Sequence, residues 1–541
     1  MTDVSHTHAE ETQLAEPHLG AVLASAGLDA EYVRAEGNTL YQRAEDGGEI
    51  PVLDYAGGYG SLLLGHNHPT LVAYAKELLD AGVPVHSQFS VHPEAAELAL
   101  TLSRIVRREG GYDEPYFAIF ANTGAEANEA ALKHSEMDRV IRLGALLATI
   151  DDGLTAAREA VRDGSATVPA EAFERAGVQI RDVGVQTRDS GVAALNELVH
   201  HLVTHNADQA RRPPVFLTPE GSFHGKLAGT VQLTHNEGYR NPFKALAAQA
   251  RFVPLGRPGM LRKIADEERA TLFGLEVENG LVRLTEHEAP RICAFFLEPI
   301  QGEGGIREIP AEFVQEVHEV CAEVGAPVVV DEIQSGMGRT GDFLASTRLG
   351  LRGDCYTLAK SLGGGLAKIS VLLVRASRYQ GQFELIHSST FAKDGFSNRI
   401  ALKVLELLEA DGGAAYRKTA ELGERLLAVL GSVRDDFPDV VKDVRGRGLF
   451  LGLEFHDQSG APAAPVAEAA RSGLFGYLIA GHLLRGHRLR TFPTASAPDT
   501  LRFEPSVLLS DDEISRLETA LRDTCDIIRG GYRRPLDLPG Q

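Results

Sequence analysis

The chain has 541 residues, 43% of them hydrophobic, which is enough for one large core or two smaller ones and excludes a mini-domain held together by disulfides. With 54 Lys plus Arg against 75 Asp plus Glu, the formal charge of −21 repels phosphate backbones and anionic lipid surfaces, so neither nucleic acid nor membrane is an expected partner. Cys293, Cys321, Cys355 and Cys525 form no CxxC pair, which argues against a disulfide framework or a thiolate metal site and favours a reducing, cytoplasmic setting.

The first 16 residues are acidic and polar where a signal peptide is basic and then apolar, and no apolar run reaches the roughly 18 residues of a membrane span. They read as a frayed tail in which His6 and His8 are an inert pair. From Tyr41 an extended stretch leads into the glycine-rich turn YAGGYGSLLLGHNHP and a helix near Pro69 to Ala81. Six short apolar runs follow: FAIFANTG, PVFLTPEGSFHG, AFFLEPIQGEGG, APVVVDEIQSG, CYTLAKSLGGG and ISVLLV. Alternating with amphipathic stretches, they predict an α/β fold with a mostly parallel sheet covered on both faces. In the first five, polar or glycine-rich residues come directly after the run. They therefore lie beyond the carboxyl ends of the strands, where open α/β sheets bind ligands.

Two stretches read as additions: 137–210, with apolar residues at helical spacing, and the highly charged 255–288. The first is expected to be mostly helical and to pack at the rim of the site or on a dimer surface, where it could cover the entrance. After Thr390 the pattern becomes a smaller α+β unit with short strands in RGRGLFLGLEF and LRFEPSVLLS and a final helix from Asp511 to Ile528. The expected organisation is an N-terminal tail and joining segment over 1–92, a large domain over 93–389 and a small C-terminal domain over 390–541.

Asp331 ends the strand VVVDEIQ, and Lys360 follows 29 residues later at the end of TLAKS. A carboxylate and a lysine at one sheet edge could form a structural ion pair. Their company tells otherwise: ANTGAEANEA opening a helix, GSFHG, EPIQGEGG, DEIQSGMGRTG, LAKSLGGG and HSSTF, in that order.

Together these motifs resemble the class III (ω-) aminotransferases, pyridoxal-phosphate enzymes of aspartate-aminotransferase fold type I, from Tyr41 to the C-terminus outside the two additions. The resemblance implies a large domain with a mostly parallel sheet and a smaller α+β domain. A carboxylate aimed at the cofactor's ring nitrogen keeps it protonated, and Asp331 fits that role. A lysine amine is needed to hold the cofactor aldehyde and then to move a proton, and by motif that lysine is Lys360. Lys226, Lys368 and Lys393 lack the setting and read as surface or secondary contacts. Thr123, Gly124 and Ala125 start a helix without bulky side chains, a fitting phosphate cup.

The resemblance further implies that Phe223 stacks on the ring, Gln334 approaches the phenolic oxygen, Glu298 lies at the cofactor edge, and Thr390 binds phosphate from the neighbouring subunit of a homodimer with composite sites. Arg502 matches the arginine that clamps a substrate α-carboxylate, and Glu303 the glutamate that neutralises it when no carboxylate is bound. Tyr59, with Phe89 and Ser90, lines up with substrate-pocket positions, where plain packing is an equal alternative. Two departures border the pocket: AKDGFSNRI after HSSTF, and GGGLAKISVLL without the proline that usually follows the catalytic lysine. The expected function is transfer of an amino group from an amino acid donor, plausibly glutamate, to a ketone or aldehyde in a specialised biosynthetic pathway. An aminomutase or decarboxylase of the same fold, or an inactive scaffold, is the alternative, and the sequence does not tell a free acceptor from one tethered to a carrier protein.

Overall fold

The computed structural model describes residues 15–87, 89–178, 188–246 and 249–538, so His6 and His8 lie outside the described residues. Its centre is a seven-stranded sheet in the order Tyr116–Ala121, Ser370–Arg375, Cys355–Leu358, Val328–Asp331, Ile292–Leu297, Val215–Pro219, Gln249–Val253. Six strands share one direction and only Ser370–Arg375 runs against its neighbours. That strand is ISVLLV, the one apolar run not followed by a polar or glycine-rich turn. The seventh strand, Gln249–Val253, has no apolar run because it is an edge strand whose only buried residue is Val253.

The four central strands are buried along their whole length, and the two-residue period of the strand divides their side chains between two cores. Phe295, Leu297, Val328 and Val330 pack with Phe313 and Val317 of the helix Ala311–Val324. Ala294, Phe296 and Val329 face the other way, toward Ala130 and Ala131 of the helix Gly124–Asp163. Both faces are therefore covered, as a parallel sheet requires.

The helix Gly124–Asp163 runs unbroken into the first addition, for 40 residues or about 60 Å at the usual helical rise. With the helix Arg188–Ala210 and the hairpin Thr271–Glu278 and Leu281–Glu288 it encloses a second core of Ile150, Leu154, Leu198, Leu202, Leu272, Leu275, Val282 and Leu284. The first addition and the hairpin of the second are thus one packed unit, while Leu261, Ile264 and Ala265 of the helix Met260–Glu267 pack in the main core. Asn206 closes the packed unit by pairing its amide with the backbone of Phe273, donating to its carbonyl and accepting from its N–H, each at 2.8 Å.

The described part of 137–210 is mostly helical; of its two expected positions, the rim of the site and a dimer surface, the first needs correction. The helix starts beyond the carboxyl end of Tyr116–Ala121 and runs back along the sheet, while Arg188–Ala210 and the hairpin hand the chain to the amino ends of Val215–Pro219 and Ile292–Leu297. The unit therefore sits at the amino edge of the sheet, opposite the carboxyl edge where Asp331 and Lys360 lie. Met137, where it begins, is already about 20 Å along the helix from Gly124. It cannot cover the entrance to its own chain's site.

The C-terminal part contains an antiparallel sheet of Val441–Arg447, Phe450–Phe455, Thr500–Phe503 and Phe492–Pro493. The N-terminal strands Tyr32–Glu36, Thr39–Arg43 and Glu49–Asp54 form a meander that joins it through parallel pairing of Leu53 and Asp54 with Leu489 and Arg490. This pairing brings the glycine turn at Tyr59 beside the strand that carries Arg502. No helix among the described residues is long and apolar enough to cross a membrane.

Candidate active site

A cavity of about 530 Å³ opens beyond the carboxyl ends of the central strands, lined at one end by Thr123, Gly124 and Ala125 and at the other by Lys360, Glu303 and Gln334. Thr123 caps the helix: its hydroxyl accepts from the Glu126 N–H while the Glu126 carboxylate accepts from Asn122 N–H and Thr123 N–H. This capping box secures the first turn by about 1 kcal/mol. It leaves Gly124 and Ala125 facing the cavity at the positive end of the helix dipole, without intrahelical acceptors for their N–H groups.

Asp331 forms the cavity floor. Its Oδ2 accepts from Asn128 Nδ2 at 2.7 Å and His224 Nδ1 at 2.8 Å, and its Oδ1 from Ile333 N–H at 3.1 Å and Thr357 Oγ at 3.4 Å. Parallel register sets Thr357 directly across from Asp331, and the Thr357 hydroxyl also donates to Asn128 Oδ1 at 2.9 Å. The carboxylate is held by donors on every side, an arrangement that fixes its direction. Glu298, beside it, accepts from Phe223 N–H at 2.9 Å and Gly302 N–H at 3.0 Å, which anchors the aromatic loop. Burial pushes the Glu298 carboxyl up to about 7.

Lys360 follows the strand Cys355–Leu358 in the left-handed region, at φ 49°. A side chain there costs on the order of 1–3 kcal/mol, strain that aims the amine into the cavity rather than along the strand. Burial lowers the pKa of its ammonium despite the nearby charges of Glu504, Glu303 and Asp331, which brings its free amine closer to neutral pH. The next residue, Ser361, donates to Gly60 O at 2.7 Å and ties this turn to the N-terminal glycine loop.

On the substrate side Arg502 Nη2 donates to Glu303 Oε2 at 2.5 Å and to Pro493 O at 3.3 Å. The guanidinium lies 5.0 Å from the centre of the Tyr59 ring, which stacks on Phe492. Burial opposes the arginine's charge, but Glu303 outweighs it and raises the pKa; reciprocally, burial works against ionised Glu303 and Arg502 holds it below the usual carboxylate range. Arg502 Nε and Nη1 are buried without a hydrogen-bond partner among the described residues. Both two-point faces of a guanidinium include Nη2, the donor Glu303 holds, so an incoming bidentate anion has to displace Glu303.

Of the residues singled out from the sequence, Phe223, Glu298 and Asp331 also line the cavity, while Arg502 and Tyr59 stand behind Glu303. Lys226 and Lys368 line it from exposed positions. Thr390, Phe89 and Ser90 are exposed and do not line the cavity of their own chain. Thr390's neighbour Ser389 accepts a 2.8 Å hydrogen bond from Asn122 of the phosphate loop. The sequence reading missed His224, Asn128, Thr357 and Glu504. Each stands within or beside a quoted motif, but their roles come from partners up to 229 residues away.

The donor set suits pyridoxal phosphate: a helix N-terminus for the phosphate, a fixed carboxylate for the ring nitrogen and a lysine of lowered pKa for the aldehyde. The family model for class-III aminotransferases matches residues 24–494. Among solved structures, an ornithine aminotransferase from Toxoplasma gondii is 20% identical, with 93% of this chain and 91% of that one covered at a TM-score of 0.62. An omega transaminase from Pseudomonas jessenii is 19% identical over 97% and 98% of the two chains at 0.66. An N-acetylornithine aminotransferase from Stenotrophomonas maltophilia is 23% identical over 94% and 99% at 0.58. With this match over most of its length, the chain belongs to the class III aminotransferases and is a pyridoxal-phosphate-dependent transaminase.

Proposed function

We propose that the enzyme takes its amino group from an amino acid bearing an α-carboxylate, glutamate foremost, and passes it to a ketone or aldehyde lacking that carboxylate. The observation that carries this reading is the buried pair of Arg502 and Glu303, in which Glu303 lines the cavity and occupies Nη2, the donor that any two-point carboxylate clamp needs. When an amino acid enters, its carboxylate takes Arg502 and Glu303 turns away; when an uncharged acceptor enters, Glu303 stays and keeps the arginine neutralised. One pocket thereby serves both halves of the reaction.

Pyridoxal phosphate supplies the electron sink for bonds at the substrate's reacting carbon. Asp331, held by Asn128, His224 and Thr357, keeps a proton on the ring nitrogen so that the sink stays open. Lys360 holds the aldehyde before substrate arrives and afterwards carries the proton between carbons with its freed amine. Thr123, Gly124 and Ala125 would hold the phosphate through backbone N–H groups, Phe223 would cover a ring face, and Gln334 would serve the phenolic oxygen. Glu298 positions Phe223.

The active form in this reading is a homodimer in which Thr390 reaches the partner's phosphate. Exposed Leu385, Ile386 and Phe391 around it, at 88%, 67% and 63% exposure, support a covered interface there. Four buried, unpaired cysteines support a reducing, cytoplasmic compartment. The departures at AKDGFSNRI support a specialised biosynthetic pathway.

The test is a scan of amino donors by loss of the enzyme's visible absorption band, then of carbonyl acceptors by its return, in wild type and Arg502→Ala. The variant should lose about 30-fold or more in the amino acid half-reaction, as expected for one side of a buried charge pair, and far less with amines lacking a carboxylate. Equal loss in both halves would show that Arg502 is structural and overturn the reading.

A further inference from the structure

Arg502 faces two carboxylates. Besides Glu303, Glu504 places Oε1 3.6 Å from Arg502 Nη1. Two residues apart on one extended segment, the side chains project to the same face. Glu504 is completely buried, its Oε1 accepts from Gln334 Nε2 at 2.8 Å, and its Oε2 has no partner among the described residues.

The two carboxylates differ in freedom. Glu303 lies in the run Gly302, Glu303, Gly304, Gly305, lines the cavity and keeps 12% of its side chain exposed. Glu504 is locked. Its N–H donates to Tyr55 O at 2.7 Å, and Gly60, left-handed at φ 88°, packs so closely that a Cβ there would sit 2.5 Å from Glu504 Oε2. A Cβ on Gly57 would lie 2.0 Å from the Glu504 carbonyl oxygen, so the glycine turn fits this residue's backbone as well. Glu303, whose Oε2 also accepts from Ala495 N–H at 2.7 Å, has the cavity beside it to turn into, and Glu504 has none.

We infer that Glu504 is a specificity-determining residue: a fixed second counter-ion to Arg502 that holds down affinity for carboxylate substrates and so biases the enzyme toward amines and carbonyl compounds without a carboxylate at the reacting carbon. The inference rests on reading Arg502 as the carboxylate clamp. A carboxylate that displaces Glu303 still meets the buried negative charge of Glu504 across the same guanidinium, where little water screens the repulsion. An uncharged side chain meets no such opposition. The enzyme then releases its keto acid readily and commits its binding energy to the other substrate.

Glu504→Gln removes the charge and keeps an oxygen for Gln334. Calorimetry on the holoenzyme with glutarate, a dicarboxylate that cannot react, should show Kd falling about tenfold, and KM for 2-oxoglutarate falling in parallel while kcat holds. The ratio of kcat/KM for 2-oxoglutarate to that for butylamine should rise by the same factor. Glu504→Asp, which keeps the charge, should stay near wild type. Glu504→Met, neutral and similar in length, should repeat the shift if the glutamine variant does not fold. Unchanged glutarate affinity in the neutral variants, or equal changes with 2-oxoglutarate and butylamine, would overturn the inference. Arg502→Ala separates the two levels. If it leaves glutarate binding intact, the clamp itself is wrong; if it abolishes binding while the neutral variants have no effect, only the role of Glu504 falls.

Discussion

Asp331→Asn keeps the shape of the side chain and removes one acceptor oxygen from a place where every neighbour donates. If the new NH2 takes the Oδ1 position it faces the Ile333 N–H, which cannot turn around, and the Thr357 hydroxyl already committed to Asn128. If it takes the Oδ2 position, His224 can adapt by moving its proton to Nε2, toward Thr218 Oγ at 3.3 Å, but Asn128 Nδ2 is also tied to His224 O at 3.0 Å and cannot. At least one buried donor loses its partner in either pose, a cost of about 1–3 kcal/mol in stability. The effect on chemistry is larger, because a neutral amide cannot hold the ring nitrogen protonated. A loss of about 4 kcal/mol in transition-state stabilisation corresponds to roughly a thousandfold in rate. Denaturant unfolding measures the first quantity and single-turnover half-reactions the second. Turnover within tenfold of wild type in a fully loaded variant would refute the role of Asp331.

Lys360→Ala should fold yet lose the borohydride-trappable link to the cofactor; reduced cofactor on Lys368 or another lysine in peptide maps would move the assignment. Because burial raises Glu298 from its ordinary value near 4.5 to about 7, the folded state takes up a proton. That contribution is full below about pH 4.5 and lost as pH rises through about 7, up to about 3 kcal/mol. Glu298→Gln should flatten this part of the stability profile, and an unaltered slope would disprove the shift. Sedimentation at assay concentration should give an active dimer, and Thr390→Ala should weaken cofactor retention; an active monomer would exclude composite sites. Excising the amino-edge unit, with short linkers in place of 144–209 and 270–289, should leave the ratio of rates for small and large acceptors unchanged in whatever fraction folds, whereas a changed ratio would restore a role in access.

Short apolar runs ended by glycine or acid were legible because a strand buried on both faces has no choice of residue, and the same punctuation located Asp331 and Lys360. Gln249–Val253 was illegible for the converse reason: at the edge of the sheet its exposed and half-buried positions tolerate Gln, Ala and Arg. His224 was passed over in GSFHG because its role exists only once Asp331 and Asn128 converge on it. Glu504 stood two positions from an arginine already singled out, but nothing local distinguishes a buried counter-ion from a solvated glutamate. Direction along the chain was also hidden. Neither addition says from its own residues which edge of the sheet it will occupy, since that follows from which strand ends it joins.

That placement carries an argument about what the additions can do. A two-stranded hairpin is marginal alone, and this one buries Leu272, Leu275, Val282 and Leu284 only because the extended helix and Arg188–Ala210 supply the other half of the core. Gly153 permits the contact, since a Cβ there would stand 2.3 Å from Leu275 O. The addition at 137–210 and the hairpin 271–288 therefore depend on each other and amount to a single elaboration, whereas the helix Met260–Glu267 belongs to the main core. Growing at the amino edge leaves the carboxyl edge, with its fixed carboxylate and strained lysine, unburdened by new contacts. The most direct connection between the two is the helix that begins at Gly124, at the phosphate end of the cavity, and carries Ile150, Leu154, Ala157 and Val161 into the added core.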